Sequence, residues 1–567
     1  MKTAASGARQ RRFVAVLLTL LLTAAACGGS DDSGGGSTTS GGGGSETTAA
    51  SGKPTPGGKL VYGQEAEDSG GLCLPEAQLD IAGIDYARTI YDTLTQPNEN
   101  GDFVPFLAES VEPNATFDSW TIKLREGVKF HDGTALDATV VKNNLDAYRG
   151  TYPNRHPLLF IFVFTNIADV VVQDPLTVVV TTKTPWPALP AYLFASGRLG
   201  IMAQAQLDDA DTCGTKLIGT GPFKLKEWAI NDHFTAEKNP DYWETDADGV
   251  QLPYLDEIEF RPIIEGQQRV NSLESGQISA MHTSDALLID QLRGLVDSNT
   301  VGLVESDKFA EVGYILINST VEPFNNEHAR LAVQYAWDRE TYNEVRNKGI
   351  LTNASGPFAE GAVGYLQDSG YPDFDLDKAK AEVEAYKADT GKDLAFTLGS
   401  TPDPNAVADQ QLVAQMFEAA GAKVSLSQTE QTQYINDAIG KNYQIQGWRN
   451  HPGSDPDTQY VWWHCSNAPP DPCDNPINFS GFNDPVINDL LDKGRTEIDP
   501  AKRKGYYEDL NREFAKAAWS LWGQWVIWAI GTAPNVHGIM GPDLPDGSKP
   551  FPGLATGHPM TGIWIEQ

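Results

Sequence analysis

The chain has 567 residues, of which 40% are hydrophobic, and its formal net charge is −34. This length exceeds what a single hydrophobic core supports, so we expect a globular protein with at least two domains. The negative charge repels nucleic acid and anionic lipid headgroups, and we find no basic run that could reverse the effect. We therefore expect no nucleic-acid partner.

The N-terminus has the pattern of an export signal. Basic residues lie between Lys2 and Arg12, and an apolar run follows at 13–22, which is too short to span a membrane but typical of a signal peptide. The small residues before Cys27 resemble a lipobox, although Ala24 stands where leucine is usual. We expect 1–26 to be a signal peptide and Cys27 to be lipidated; the alternative is an ordinary signal peptide with an incidental cysteine.

Residues 27–57 predict a flexible, lipid-anchored linker. The segment consists almost wholly of Gly, Ser, Thr, Ala and Pro, which cannot bury enough apolar surface to fold. A flexible coil of about 30 residues spans roughly 30 Å. No later apolar stretch reaches membrane length, so we expect an extracytoplasmic body that is attached to the cell membrane only by its lipid.

The first half of the folded region predicts mainly strands. Lys59–Tyr62 and Trp120–Leu124 have strand patterns, and Asp137 is placed to cap a helix that ends near Tyr148. Two β-branched runs within 170–181 surround a turn, and residues 223–264 alternate in polarity as strands do.

The second half predicts a strand–helix–strand–helix–strand unit. In chain order its elements are strand Leu394–Leu398, helix Asp409–Ala420, a strand at Val424 and Leu426, helix Gln431–Ile439 and strand Tyr443–Trp448. Short connections between such elements imply parallel strands with right-handed crossovers.

The loop after the third of these strands is the best candidate for ligand contacts. Ligands in open α/β sheets bind outside the carboxyl ends of the strands. This loop combines an aromatic plane, a cation, hydrogen-bonding groups and carboxylates, and its candidate residues are Trp448, Arg449, Asn450, His451, Asp455 and Asp457. The alternative is a surface turn, since Pro, Gly, Ser and Asp all favour turns.

Four cysteines remain after Cys27, and an even number outside the cytoplasm suggests two disulfides. Cys465 and Cys473 flank a short proline-rich loop and should pair, which leaves Cys73 for Cys213. A metal site is the alternative, and it would use His451, His464, Cys465 and Cys473. That spacing fits no standard zinc pattern, so we expect no metal.

The sequence lacks the motifs of common enzymes. We find no phosphate-binding GxxxxGK, no GxSxG and no HExxH, and the glycines at 219–221 lack the third glycine of a dinucleotide motif. Asp455 and Asp457 could form a glycosidase pair, but Asp-Pro-Asp is a common turn. We expect no catalytic residues and no cofactor.

Several segments, in order along the chain, resemble one protein family. Residues 120–145 read WTIKLREGVKFHDGTALDATVVKNNL, with Val140 in place of a usual acidic residue. Further matching segments are 90–94, 107–110, 219–223, 239–243 and 323–339. Together they resemble family 5 of the extracellular solute-binding proteins of ABC importers, which takes oligopeptides, dipeptides or nickel.

The resemblance implies an α/β, periplasmic-binding-protein-like fold of class II. Two lobes would be joined by a hinge of two crossing strands, with an extra subdomain beside the first lobe. The implied ranges are 58–90, 195–310 and 525–567 for lobe I, 91–194 for the extra subdomain and 311–524 for lobe II, with the hinge near 312–318 and 524–530.

The resemblance also implies a function. A monomeric receptor would capture a peptide or peptide-like solute between its lobes and deliver it to an ABC permease, whose ATPase subunits supply the energy. In the family's peptide binders an Asp just after Gly-Trp holds the peptide's amino terminus, but Asn450-His451 stands near that place here. Arg449 could instead pair with a carboxylate, and Trp448, Trp462 and Trp463 could stack on a sugar. The alternatives are an oligosaccharide or metal-chelate receptor of the same family and, outside the family, a secreted hydrolase.

Overall fold

The structure is a computed structural model that describes residues 52–67, 70–77, 79–450, 453–467, 471 and 473–566. The predicted signal peptide, the lipidation site Cys27, most of the predicted linker and the candidate ligand residue His451 lie outside the described residues. Within the described ranges, no helix combines the length and apolar character needed to cross a bilayer.

Strands and helices alternate along the described chain. The strands are β1 (Lys59–Gln64), β2 (Thr95–Pro97), β3 (Phe103–Pro105), β4 (Ala108–Pro113), β5 (Ser119–Leu124), β6 (Ile167–Asp174), β7 (Thr177–Thr182), β8 (Phe223–Ala229), β9 (His233–Lys238), β10 (Glu257–Pro262), β11 (Ala280–Thr283), β12 (Gly302–Ile317), β13 (Thr352–Asn353), β14 (Ala395–Ser400), β15 (Lys423–Gln428), β16 (Ile445–Asn450), β17 (Ser520–Thr532), β18 (Val536–His537) and β19 (Trp564–Ile565).

The helices are α1 (Ile81–Ile90), α2 (Ala138–Tyr148), α3 (Ile161–Phe164), α4 (Leu189–Tyr192), α5 (Gln204–Asp208), α6 (Gly266–Glu274), α7 (Ala286–Asp297), α8 (Glu327–Ala336), α9 (Arg339–Asn347), α10 (Leu376–Thr390), α11 (Pro404–Ala419), α12 (Gln431–Ile439), α13 (Tyr460–Trp463), α14 (Pro485–Thr496) and α15 (Pro500–Ala517).

One large mixed sheet organises the fold. Its strand order is β15-β14-β16-β12-β17-β11-β1-β10-β9-β8, and β13 also pairs with β17. The long strands β12 and β17 lie in the middle, with a half-sheet on each side. We call the half with β1 and β8–β11 the first lobe and the half with β14–β16 the second lobe. The register between β12 and β17 shifts between Ser306 and Glu311, where the chain passes from one lobe to the other.

This arrangement agrees with the predicted two-lobe α/β fold and its two-strand hinge. The residue ranges proposed for each lobe and for the extra subdomain remain predictions.

The segment that carries the strongest family resemblance forms a strand, a turn and a helix. In β5 the side chains of Trp120, Ile122 and Leu124 are buried, as the alternating pattern predicts. Asp137 caps α2 by accepting hydrogen bonds from the backbone N–H groups of Thr139 and Val140, both at 2.9 Å. A separate four-stranded sheet, β4-β5-β7-β6, contains this strand.

The strand–helix unit of the second lobe has the predicted order and parallel pairing. β14 pairs parallel with both β15 and β16, and helix α12 has the predicted bounds. Helix α11 begins at Pro404, earlier than predicted, because the Asp403 carboxylate caps it and proline suits the first helical position. β16 continues to Asn450, because it also pairs with β12 over Val312–Ile317.

Both predicted disulfide pairs are present. Cys73 bonds to Cys213, and Cys465 bonds to Cys473. The second bond removes two thiolates from the alternative metal site, and the described residues contain no group of three or more potential metal ligands.

A pair of buried carboxylates lies where β9 leads towards β10. The Tyr242 hydroxyl lies 3.2 Å from Asp92 Oδ1 and 3.3 Å from Glu244 Oε2. The other oxygen of Asp92 accepts hydrogen bonds from the Trp243 indole N–H and the Thr220 hydroxyl, both at 3.0 Å. Burial, followed by the charge of Asp92, raises the pKa of Glu244 to about 8, and burial raises the pKa of Asp92 to about 6.

Candidate functional site

The candidate site lies where strands of the two lobes end against each other. Glu65 directly follows β1, and Ser284 directly follows β11, which pairs parallel with β1. Arg449 is the next-to-last residue of β16 in the second lobe. The carboxyl ends of these strands therefore bring side chains from both lobes together, and we call this region the cleft.

Arg449 spans the cleft. Its Nη1 donates a hydrogen bond of 2.6 Å to the Ser284 hydroxyl, and its Nη2 donates one of 3.2 Å to Glu65 Oε1. Its Nε lies 3.8 Å from Glu311 Oε1, and its guanidinium carbon lies 5.4 Å from the centre of the Trp528 ring. The Arg449 side chain is still 43% exposed, so a small molecule in the cleft can reach it.

The cleft holds Glu65 in its ionised form. Burial opposes ionisation, but the positive charges of Arg449 and Arg269 lower its pKa below the ordinary value. The Glu65 backbone N–H donates to His282 Nε2 at 3.1 Å, so this ring nitrogen acts as an acceptor. His282 Nδ1 faces the buried carboxylate of Asp85 at 3.6 Å.

Beneath the cleft, the two hinge strands are linked by a buried polar contact. The Trp528 indole N–H on β17 donates to Glu311 Oε2 on β12 at 2.8 Å, and both side chains are buried. Trp522 and Trp525 on the same strand are buried as well. These three tryptophans are therefore hinge and core residues.

Trp448 lies next to Arg449 but points to the opposite face of β16. Its ring stacks on Tyr434 with a 5.8 Å centroid separation and meets Phe479 edge-on at 5.1 Å. The indole is only half-buried. A ligand role for Trp448 remains a prediction, whereas Trp463 is buried among Tyr314, Trp519 and other aromatic side chains and is not available for stacking on a ligand.

The remaining candidates that the structure describes, Asn450, Asp455 and Asp457, have partners within the protein. Asn450 is buried and donates to Gln459 Oε1 at 2.6 Å, so it belongs to the strand end rather than to a free loop. Asp455 accepts hydrogen bonds of 2.9 and 2.6 Å from both terminal nitrogens of Arg503.

Asp457 is fully buried. It accepts the Trp186 indole N–H at 2.8 Å and faces Arg495 Nε at 3.5 Å. The Arg495 guanidinium in turn stacks 3.9 Å from the ring centre of Tyr460. A carboxylate enclosed in this way supports the loop and is not open to a ligand, so we do not carry Asp457 into the site, whereas a ligand role for Asp455 remains a prediction.

The sequence interpretation missed the first-lobe and hinge residues of the site. Glu65, Ser284 and Glu311 were not among the predicted ligand residues, although the rule that identified Arg449 also applies to the strands of the first lobe. Glu65 follows the predicted strand Lys59–Tyr62 closely, so the same reasoning could have selected it. Nothing in the local sequence marks Ser284 or Glu311.

The fold and the cleft define a two-lobe solute receptor. The sequence profile of bacterial extracellular solute-binding proteins, family 5, matches residues 102–471. The chain therefore belongs to this family, whose members are extracytoplasmic substrate-binding components of ABC importers and not enzymes.

Similar proteins support this assignment. The glutathione-binding protein GsiB of Pectobacterium atrosepticum is 27% identical over 447 residues, covering 76% of this chain and 82% of the relative. The protein AgaA of A. tumefaciens R10, solved with agropinic acid, has a TM-score of 0.78 and 25% identity over 90% of this chain and 99% of its own. DppA of Helicobacter pylori, solved with the peptide STSA, has the same TM-score, 21% identity and the same coverage of both chains.

Proposed function

We propose that this chain is the lipid-anchored receptor of an ABC importer that captures peptides or peptide-like solutes in its cleft and delivers them to the permease. The main supporting observation is the position of Arg449, which extends from the second lobe to Glu65 and Ser284 of the first. A cation and a carboxylate that face each other across a cleft can bind the opposite charges of a zwitterionic solute.

The ligands of two of the similar proteins also favour this class. Glutathione and the peptide STSA, which are named for two of them, carry amide bonds together with charged termini. In a cleft that excludes water, hydrogen bonds to such groups gain strength, and a solute that touches both lobes stabilises the closed form. Delivery then requires only that the permease recognises the closed form, while the ATPase supplies the energy.

Native mass spectrometry of the purified protein tests the ligand class directly, because a tightly held solute remains bound and its mass identifies it. We expect a peptide or a peptide-like compound. An oligosaccharide or a metal chelate would support one of the alternative receptors, and a chemically altered product after incubation would support a hydrolase.

Titration calorimetry with the identified solute then tests the site. Arg449→Met should weaken binding about tenfold or more, as expected for loss of a charge-assisted hydrogen bond. Arg512→Met is the matched control, since the Arg512 side chain is 45% exposed and forms its ion pair with Asp509 within the same helix, α15. Equal affinities of the Arg449 variant and the control would reject the placement of the site.

Lipid anchoring at Cys27 has its own test. Cells that express the chain should incorporate a labelled fatty acid into it, and Cys27→Ser should abolish the label. Incorporation that persists in the variant would contradict lipidation at this residue.

A further inference from the structure

Three side chains of the second lobe contact one short segment of the first lobe. This segment, 284–290, runs from the end of β11 to the start of the second turn of α7, and we call it the docking segment. Arg449 donates to the Ser284 hydroxyl at 2.6 Å, Asn405 Nδ2 donates to Asp285 Oδ2 at 2.6 Å, and Lys348 Nζ lies 2.6 Å from Asp290 Oδ2.

The docking segment is held firmly by the first lobe. Asp285 uses its other oxygen, Oδ1, to cap α7, accepting the backbone N–H groups of Leu287 and Leu288 at 2.8 and 3.2 Å. Ile289 and Leu292 of the same helix are fully buried in the first-lobe core. The two carboxylates are therefore presented on a fixed element, and little conformational entropy remains to be lost when a partner binds them.

The second-lobe partners come from three different elements. Asn405 lies in the first turn of α11, where its carbonyl accepts a hydrogen bond of 3.3 Å from Arg346. Lys348 terminates α9, and Arg449 lies on β16. Rotation about the hinge moves all three together, so their contacts with the docking segment form or break as a set.

We propose that the docking segment is a polar clasp that stabilises the closed form independently of any solute. This inference concerns regulation of the cleft and rests on the proposed receptor function. Charge-assisted contacts between the chain's own lobes supply part of the free energy of closure, and a solute supplies the rest. Because the Lys348–Asp290 pair is 58% and 45% exposed, salt weakens the clasp.

The distance between the two ends of the large sheet reports closure. Ile230 follows β8 at one end and Leu426 lies in β15 at the other, and their exposed fractions of 47% and 40% allow labelling. Ile230→Cys and Leu426→Cys, in the full chain carrying Cys27→Ser, accept spin labels for distance measurement by electron paramagnetic resonance. The protein is unfolded in guanidinium chloride with its disulfides intact, refolded, and shown by native mass spectrometry to be free of solute.

We expect two distance populations in 50 mM salt. Lys348→Met should lower the closed-to-open ratio about two- to fivefold, as should Asp290→Asn, and the double variant should lower it no further than either single change. Raising the salt to 500 mM should reduce the closed-to-open ratio of the protein without clasp substitutions to a similar extent. Lys493→Met is the control, because Lys493 makes an equally short contact of 2.6 Å, with Asp489, within α14.

A ratio that does not change with the clasp substitutions, or that does not change with salt, overturns the clasp, as does a wild-type protein without a closed population. Binding of tripeptides to the same preparations is measured separately by calorimetry. If tripeptides bind but the closed-to-open ratio is unchanged by the substitutions, the clasp proposal is wrong and the peptide proposal stands. A ratio that responds as expected while no tripeptide binds overturns the peptide proposal and leaves the clasp standing.

Discussion

Replacing Glu244 with glutamine should remove a pH-dependent loss of stability. The Tyr242 hydroxyl has one proton but lies within hydrogen-bonding distance of both Asp92 and Glu244. Asp92 accepts two further hydrogen bonds through Oδ2, which oppose the effect of burial, so its pKa rises only to about 6 and Asp92 ionises before Glu244 as the pH increases. Glu244 must then hold a proton and donate it to the Tyr242 oxygen while Tyr242 donates to Asp92.

The sign and size of the effect follow from the pKa of Glu244. Folding raises it from an ordinary value near 4.5 to about 8, so the folded state binds this proton more tightly than the unfolded state does. The associated stability is fully present below about pH 4.5 and is lost as the pH rises towards 8. At pH 8 the loss amounts to about 4 kcal/mol. Glutamine cannot ionise and keeps an N–H donor for Tyr242.

Scanning calorimetry of the wild type and of Glu244→Gln between pH 5 and 8 measures this loss. For a folded region of this size, 1 kcal/mol corresponds to roughly 1 °C in Tm, so the wild type should lose about 3–4 °C relative to the variant. His131, whose pKa burial lowers to about 4, titrates in both proteins and cancels in the difference.

Glu109→Gln is the control. Hydrogen bonding to Lys123 lowers the pKa of Glu109, so its contribution is already complete at pH 5 and the difference from wild type should stay constant. Parallel curves for wild type and Glu244→Gln would refute the reasoning. A pH-dependent difference that appears in Asp92→Asn instead would assign the proton to Asp92.

Three further predictions concern the supporting structure. Asp457→Asn should destabilise the protein by about 3 kcal/mol, because it leaves the buried Arg495 without its carboxylate; chemical denaturation measures this, and an unchanged midpoint would contradict it. The same variant should keep the wild-type solute affinity in calorimetry, whereas a weakened affinity in the folded protein would return Asp457 to the binding site. Replacing both cysteines of the Cys73–Cys213 disulfide, which spans 140 residues, should lower the free energy of unfolding by about 5 kcal/mol. Replacing those of Cys465–Cys473, which spans 8 residues, should lower it by about 2.5 kcal/mol. Equal losses in chemical denaturation would be inconsistent with chain entropy as the main cause.

Much of the local structure could be predicted because it depends on neighbouring residues. The alternation in 120–124 specifies a strand with one buried face, and Asp137 specifies the start of α2, because capping acts within one helical turn. Helix α12 was likewise predicted with its observed bounds. These features require no knowledge of the rest of the fold.

The end of β16 could not be predicted, because it depends on a distant strand. Pairing with β12 extends β16 to Asn450, so the first residues of the predicted loop belong to the end of an interior strand. Asp457 shows the same limitation in its side chain. A carboxylate in a turn-rich loop suggests a ligand contact, but Trp186, 271 residues away, encloses it.

The position of Arg449 at a strand end was predictable from the order of local elements, whereas its pairing with residues of the first lobe was not. A strand's carboxyl end in an α/β unit faces the ligand edge whatever the rest of the chain does. Glu65 and Ser284 reach that edge only because the first lobe closes onto it, and they lie 384 and 165 residues away from Arg449.

Contacts that close the cleft also limit how strongly a solute must bind. If the lobes were closed one time in a hundred without help, a solute would need roughly a 10⁴-fold preference for the closed form to make it dominant at 99 to 1. A clasp that contributes about tenfold lowers that requirement to roughly 10³. Side chains such as Arg449 therefore face two demands: they must hold the lobes together, and they must remain weakly enough paired that a solute can take their place.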